Sequence, residues 1–152
     1  MNDPLTIPPE VWFALICEGV EKDNHGRLSF ERVISQFRLQ KPPEDSGVPP
    51  HAHVRGVLMV GLIGGVGNFI ADVTLESPDD DELWRLPEPW EFSMAGGAQS
   101  NVLGYQFELW VTEPGTYRFW IRVREQENLQ LPVRFEVAEQ IGPAAVESSE
   151  PQ

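Results

Sequence analysis

One stretch of the chain, residues 102–137, leaves little choice of fold, because its apolar side chains recur at every second position. Tyr105, Phe107, Leu109 and Val111 alternate with Gln106, Glu108 and Trp110. After Thr112-Glu113-Pro114-Gly115, Tyr117, Phe119, Ile121 and Val123 alternate with Arg118, Trp120, Arg122 and Arg124. A period of two puts one set of side chains on a buried face and the other in solvent, which is a strand and not a helix. With a four-residue turn signal between them, the two runs predict a hairpin. A third run, with Leu129, Leu131, Val133, Phe135 and Val137 inward, extends it to a meander. Pro132 lacks a ladder donor, so this last strand is expected at a sheet edge.

The same reading extends upstream. Residues 54–62 and 68–76 flank Ile63-Gly64-Gly65-Val66-Gly67 and predict a second hairpin, with Phe69, Ala71, Val73 and Leu75 inward. Residues 83–94 carry Pro87 and Pro89 between Trp84 and Trp90, which suits a bent edge strand. Residues 11–20 are nearly all apolar, as expected of a central strand buried on both faces. Residues 30–39 are ambiguous, since Val33, Ile34 and Phe37 would also line one side of a helix. The polar turn Glu21-Lys22-Asp23-Asn24-His25-Gly26-Arg27 before them favours a strand. Seven or eight short strands with almost no helix predict an all-β, antiparallel β-sandwich. The 152 residues suit one domain. We place it at residues 10–139, with a flexible N-terminal tail at 1–9, a surface connection at 40–50 and a disordered C-terminal tail at 140–152.

Two resemblances bear on this expectation. Glu113-Pro114-Gly115-Thr116-Tyr117, followed by Phe119, resembles the tyrosine corner that opens the penultimate strand of immunoglobulin-like sandwiches. Phe119 stands where antibody domains have cysteine, so the disulfide variant is excluded. Separately, Leu15-Ile16-Cys17-Glu18, Asp23-Asn24-His25-Gly26-Arg27-Leu28-Ser29 and Pro114-Gly115-Thr116-Tyr117 resemble a family of small bacterial domains of unknown function, over most of residues 11–137. That resemblance implies an immunoglobulin-like sandwich and brings no catalytic residues.

Charge narrows the partners. Eleven lysines and arginines against 24 aspartates and glutamates give a formal charge of −13, a field that repels nucleic acid and anionic lipid. Hydrophobic residues at 41% and charged ones at 23% are ordinary globular usage, so the acid excess serves solubility and does not signal disorder. The lone Cys17 sits in an apolar run, where a small buried hydrophobe is its expected role and no intrachain disulfide exists. A reducing, cytoplasmic setting is the corresponding expectation. The opening residues, Met1-Asn2-Asp3-Pro4-Leu5-Thr6, carry no basic side chain, unlike a secretory signal. The uncharged window 56–71 is short for a membrane span and holds five glycines.

The candidate chemistry is sparse. His51 and His53, at alternate positions, would project to one face and offer two imidazoles to a metal, as cupin sites begin, but no acid follows before Asp72 to serve as third ligand. Gly61-Leu62-Ile63-Gly64-Gly65-Val66-Gly67 has the glycines of a phosphate cradle without its lysine or helix. Asp79-Asp80-Asp81-Glu82 lacks the alternate ligand spacing of a calcium loop. Cys17 and the serines Ser29, Ser35, Ser77, Ser93 and Ser100 have no elbow or partner motif. No cofactor and no catalytic site are expected.

What remains is a surface. If residues 105–123 form a hairpin, Trp110 and Trp120 share its solvent face with Glu108, Arg118, Arg122 and Arg124. Aromatics and arginines are the residues enriched at interface hot spots, and three of the eleven basic residues lie on this strand. The expectation is a binding face for another protein or a second copy of this one. Cross-strand pairing that merely stabilises the sheet is the plain alternative. A carbohydrate or small-ligand module using Trp84, Trp90, Trp110 or Trp120 is a second reading, and a cupin-like enzyme built on His51 and His53 a third.

Overall fold

The computed structural model describes residues 6–97, 100–124 and 130–139, apart from the side chains of Arg124 and Gln130. Ten strands follow in order: β1 (Glu10–Lys22), β2 (Leu28–Val33), β3 (Gln36–Arg38), β4 (Ala52–Ile63), β5 (Val66–Glu76), β6 (Glu82–Arg85), β7 (Trp90–Ala95), β8 (Ser100–Val111), β9 (Gly115–Arg124) and β10 (Gln130–Ala138). A 3-10 turn at Glu44–Ser46 is the one helical element among the described residues. No helix there is long and apolar enough to cross a membrane.

The strands form two sheets, one ordered β2-β1-β4-β8 and the other β3-β10-β9-β5-β6, with β7 also on β5. The chain is thus an all-β sandwich. The inward sets read from the period-two pattern are the ones that meet between the sheets. Ile16, Val54, Leu58, Val60 and Leu62 of the four-stranded sheet face Phe69, Val73, Leu75, Ile121 and Phe135 of the other, all at most 2% exposed. Phe107 and Phe119 join the layers edge to face at 4.9 Å. Phe119 is fully buried at the position where a disulfide variant would carry its cysteine.

The alternation fixes faces but misassigns partners. Neither of the two expected hairpins, 54–76 and 105–123, forms. β4 pairs β1 and β8, whereas β5 pairs β6, β7 and β9. The glycine-rich segment and Thr112-Glu113-Pro114 are therefore arches that carry the chain from one sheet to the other. At the second arch Gly115 takes φ +135°, and a Cβ there would lie 2.6 Å from Pro78, so only glycine fits. The Tyr117 hydroxyl then donates to the Glu113 carbonyl at 2.7 Å, the tyrosine-corner contact that its motif resembles.

Other elements agree or shift by less. The meander holds between β9 and β10, where Gln130 pairs Arg122 and Val137 pairs Gly115. The β1–β2 hairpin forms too, its turn closed by the Asp23 carboxylate, which accepts from the His25 and Arg27 amides at 2.8 Å. Residues 30–39 are strand, but split: β2 stays beside β1 while β3 crosses to pair parallel with β10 at Glu136–Ala138. The sheet is mixed there, and β10 is an edge at Pro132 but not at its end. Residues 83–94 are the broken edge that their prolines dictate, divided into β6 and β7, and these two splits raise the strand number to ten. β1 is central as expected but covered on both faces only around Ile16 and Cys17; Trp12 is 61% exposed beside a bulge. The described part of the expected N-terminal tail is tied down, with Ile7 exchanging two backbone bonds with Val66 at 2.9 Å. Residues 1–5 and 140–152 lie outside the described set.

Candidate functional site

The β4–β8 ladder brings together side chains 50 residues and more apart. His53 pairs with Trp110 and Arg55 with Glu108, on the face turned away from the core. The Trp110 indole lies parallel to the His53 imidazole, with ring centroids 4.2 Å apart and planes 12° from parallel. His51, two positions back on the same face, approaches the indole at 5.0 Å. Each histidine is anchored elsewhere: His51 Nδ1 donates to the Pro49 carbonyl at 3.1 Å, and His53 Nε2 to Glu108 Oε1 at 2.5 Å. Arg55 Nη2 reaches the same carboxylate oxygen at 3.4 Å. The hydrogen bond from His53, with Arg55 beside it, holds the Glu108 carboxyl below its ordinary range.

Trp110 nevertheless remains 63% exposed. Its ring stacks on His53 while most of its surface is open. His51 and His53 do share a face, as their spacing predicts, and both imidazoles lie against the Trp110 indole there. Among the described residues no group of three or more His, Cys, Asp or Glu side chains is placed to hold a metal ion.

Trp120 is elsewhere. It lies on the outer face of the six-stranded sheet, paired with Thr74 on one side and Pro132 on the other, so it shares no face with Trp110. The expected combined surface therefore does not exist, because β8 and β9 belong to different sheets. Trp120 is half-buried and its indole N–H donates to Glu76 Oε1. The Arg122 guanidinium lies 5.8 Å from the Trp120 ring centroid and donates to Thr74 Oγ1 at 2.8 Å. Arg118 pairs with Asp80 at 3.3 Å. Arg124 is placed in β9, with its side chain outside the described set. These groups bind one another across the sheet, which is the cross-strand alternative.

The other candidates take structural roles. In the glycine segment, the Phe13 ring lies over Gly61, 2.3 Å from where a Cβ would stand. In the acidic turn, Ser77 Oγ accepts the amides of Asp79 and Asp81 at 3.2 Å. Cys17 is fully buried, and burial raises its thiol pKa above the ordinary 9.0. Trp84 packs against Tyr105 at 5.1 Å, and Trp90 lines an open groove of about 440 Å³ with Leu86, Pro87, Pro89, Leu103 and Tyr105. Glu108 was visible in the sequence only as an outward residue of its strand. Its place beside His53 depends on a ladder whose partners are 55 residues apart, which no local pattern signals.

No family model matches the chain, and no curated protein matches it. Among solved structures, beta-glucosidase from Listeria innocua in complex with glucose aligns at a TM-score of 0.36 and 14% identity, covering 74% of this chain. Beta-glucosidase from Listeria innocua in complex with gluconolactone aligns at 0.32 and 12%, again over 74% of this chain. The chain spans 17% of the length of these structures, and at such TM-scores the likeness carries no argument about fold or activity.

Proposed function

We propose that this chain is a non-catalytic β-sandwich module that acts through protein–protein contact, centred on Trp110 at the outer face of the four-stranded sheet. The observation that carries this reading is a large indole that is 63% exposed yet held in one orientation by His53. Tryptophan is enriched among binding hot spots, and a side chain already immobilised loses little entropy when a partner covers it. The rim of His51, His53, Arg55 and Glu108 mixes both charges, which suits a protein surface better than the polyanions that a net charge of −13 repels. The free, buried Cys17 goes with a cytoplasmic setting, and the motif resemblance with a bacterial one.

The test is affinity capture with the purified full chain beside Trp110→Ala. A partner retained stoichiometrically by the natural chain is expected to fall away by about tenfold or more on the variant, since a hot-spot truncation costs ~2 kcal/mol or above. Equal retention by both proteins refutes the reading.

A further inference from the structure

The two sheets present four edges, and three are closed to further pairing by devices common at sheet edges. β3 is three residues long, β6 and β7 are separated by Pro87 and Pro89, and β2 carries Glu31 beside Arg32, whose φ of +52° interrupts the pairing at that residue. β8 has none of these. It runs twelve residues in unbroken register with β4, contains no proline and bears one charge, Glu108. Its start is engaged, since Asn101 Nδ2 donates to the Ser93 carbonyl of β7 at 3.0 Å. Beyond that, among the described residues, no backbone group of β8 is bonded to anything but β4. Among the described residues, 103–111 are thus an open edge, and its centre is Phe107.

We infer that a second copy of this chain pairs its β8 antiparallel to this one about a two-fold axis at Phe107, joining two four-stranded sheets into one of eight. The inference rests on the contact reading above and names the partner. The register follows from the residues. In a self-pairing strand, outward residues must face outward residues of the copy. Centring on Glu108 would set two carboxylates opposite each other, and centring on Gln106 would draw in the engaged Asn101. Centring on Phe107 sets Trp110 across from Gly104 of the copy and Glu108 across from its Gln106. The Met59 thioether already fills the space over Gly104, its sulfur 2.8 Å from where a Cβ would stand, so the indole of the copy would pack on that sulfur in a sulfur–aromatic contact. The pairing would cover the exposed Trp110 and the unpaired ladder groups together.

The experiment is sedimentation equilibrium of the untagged full chain, with Gln106→Glu and Gln106→Lys. Gln106 is exposed, so both variants should keep the natural melting temperature at concentrations where the chain is monomeric. A concentration-dependent dimer is expected. Gln106→Glu would place two like-charge contacts opposite Glu108 and raise the dissociation constant about tenfold, whereas Gln106→Lys would lower it several-fold. Exchange of the amides in residues 103–111 that point away from β4 should slow in the dimer and quicken on dilution. A chain that is monomeric at its highest soluble concentration overturns the inference, as does a dimer indifferent to both substitutions, or protection in the monomer of the amides that point away from β4. A monomer that still captures a partner through Trp110 leaves the contact function standing, and one that captures nothing removes both.

Discussion

Removing one oxygen atom tests whether the second arch is fastened as described. In Tyr117→Phe the ring keeps its stacking on Phe135, at 5.4 Å and 9° between planes, and only the hydroxyl bond to the Glu113 carbonyl is lost. Glu113 is exposed, so water can reach the freed carbonyl and the full penalty for an unsatisfied buried acceptor does not arise. The expected loss is therefore about 1 kcal/mol, the net worth of one ordinary hydrogen bond. In a chain of this size that is a fall of roughly 2–4 °C in Tm. Urea unfolding should show a lower midpoint with an unchanged slope. An unchanged midpoint would mean that the corner does not hold the arch, and a loss above about 3 kcal/mol would mean that the ring had moved as well. A second signature lies at high pH. Burial raises the Tyr117 phenol above its ordinary 10.0, so the folded chain holds that proton more tightly than the unfolded one. The contribution is full below about pH 10 and is lost as pH rises through the folded value. The stability gap between the natural chain and the variant should narrow in that alkaline window; parallel curves would refute the assignment.

Phe119→Ala should be far more costly, because its ring is fully buried and touches Phe107, Phe135 and Trp84 across both sheets. A loss of ~3–5 kcal/mol in denaturant unfolding is expected, and a loss near 1 would mean the core closes over the gap. At the Trp110 site, Glu108 titrates below its ordinary 4.5 because of His53, so its contribution is present above that value and lost as pH falls through the lower folded one. Glu108→Gln should flatten the acid limb of the stability profile, and an acid limb identical to that of the natural chain would remove the His53–Glu108 contact from the account.

The sequence pattern told faces well and partners poorly, for one physical reason. Alternation records which side of a strand is dry, and Phe69, Val73, Phe119 and Val137 are dry whether their strand turns back in its own sheet or crosses to the facing one. Thr112-Glu113-Pro114-Gly115 has the length and composition of a hairpin turn, yet it is an arch. What separates the two is the layer against which β9 packs, and that is decided by β5 and β10. Where a turn contains its own closure, as Asp23 does in the β1–β2 connection, the hairpin was legible. At the candidate site the outward direction of Trp110 and the shared face of His51 and His53 were both readable. That these residues meet was not, because the β4–β8 register depends on the whole sheet.

Trp110 and Trp120 show why exposure of a residue type cannot be read from its strand position alone. Both alternate outward, and both have a basic or aromatic neighbour on the same face. On the six-stranded sheet the Trp120 indole has its N–H on Glu76, a guanidinium near its ring, and Thr74 and Pro132 on either side. Its polar and apolar surfaces are already matched within the chain. The Trp110 indole has one face on His53 and stays 63% exposed, beside a strand with no neighbour on its far edge among the described residues. Chemically equal residues thus end in opposite states because one lies on an inner strand, β9, and the other on an edge strand, β8. An unmatched indole and an unmatched ladder on the same strand would be relieved by the same event, the arrival of another strand, and that coincidence is why the proposed contact is placed at the β8 edge.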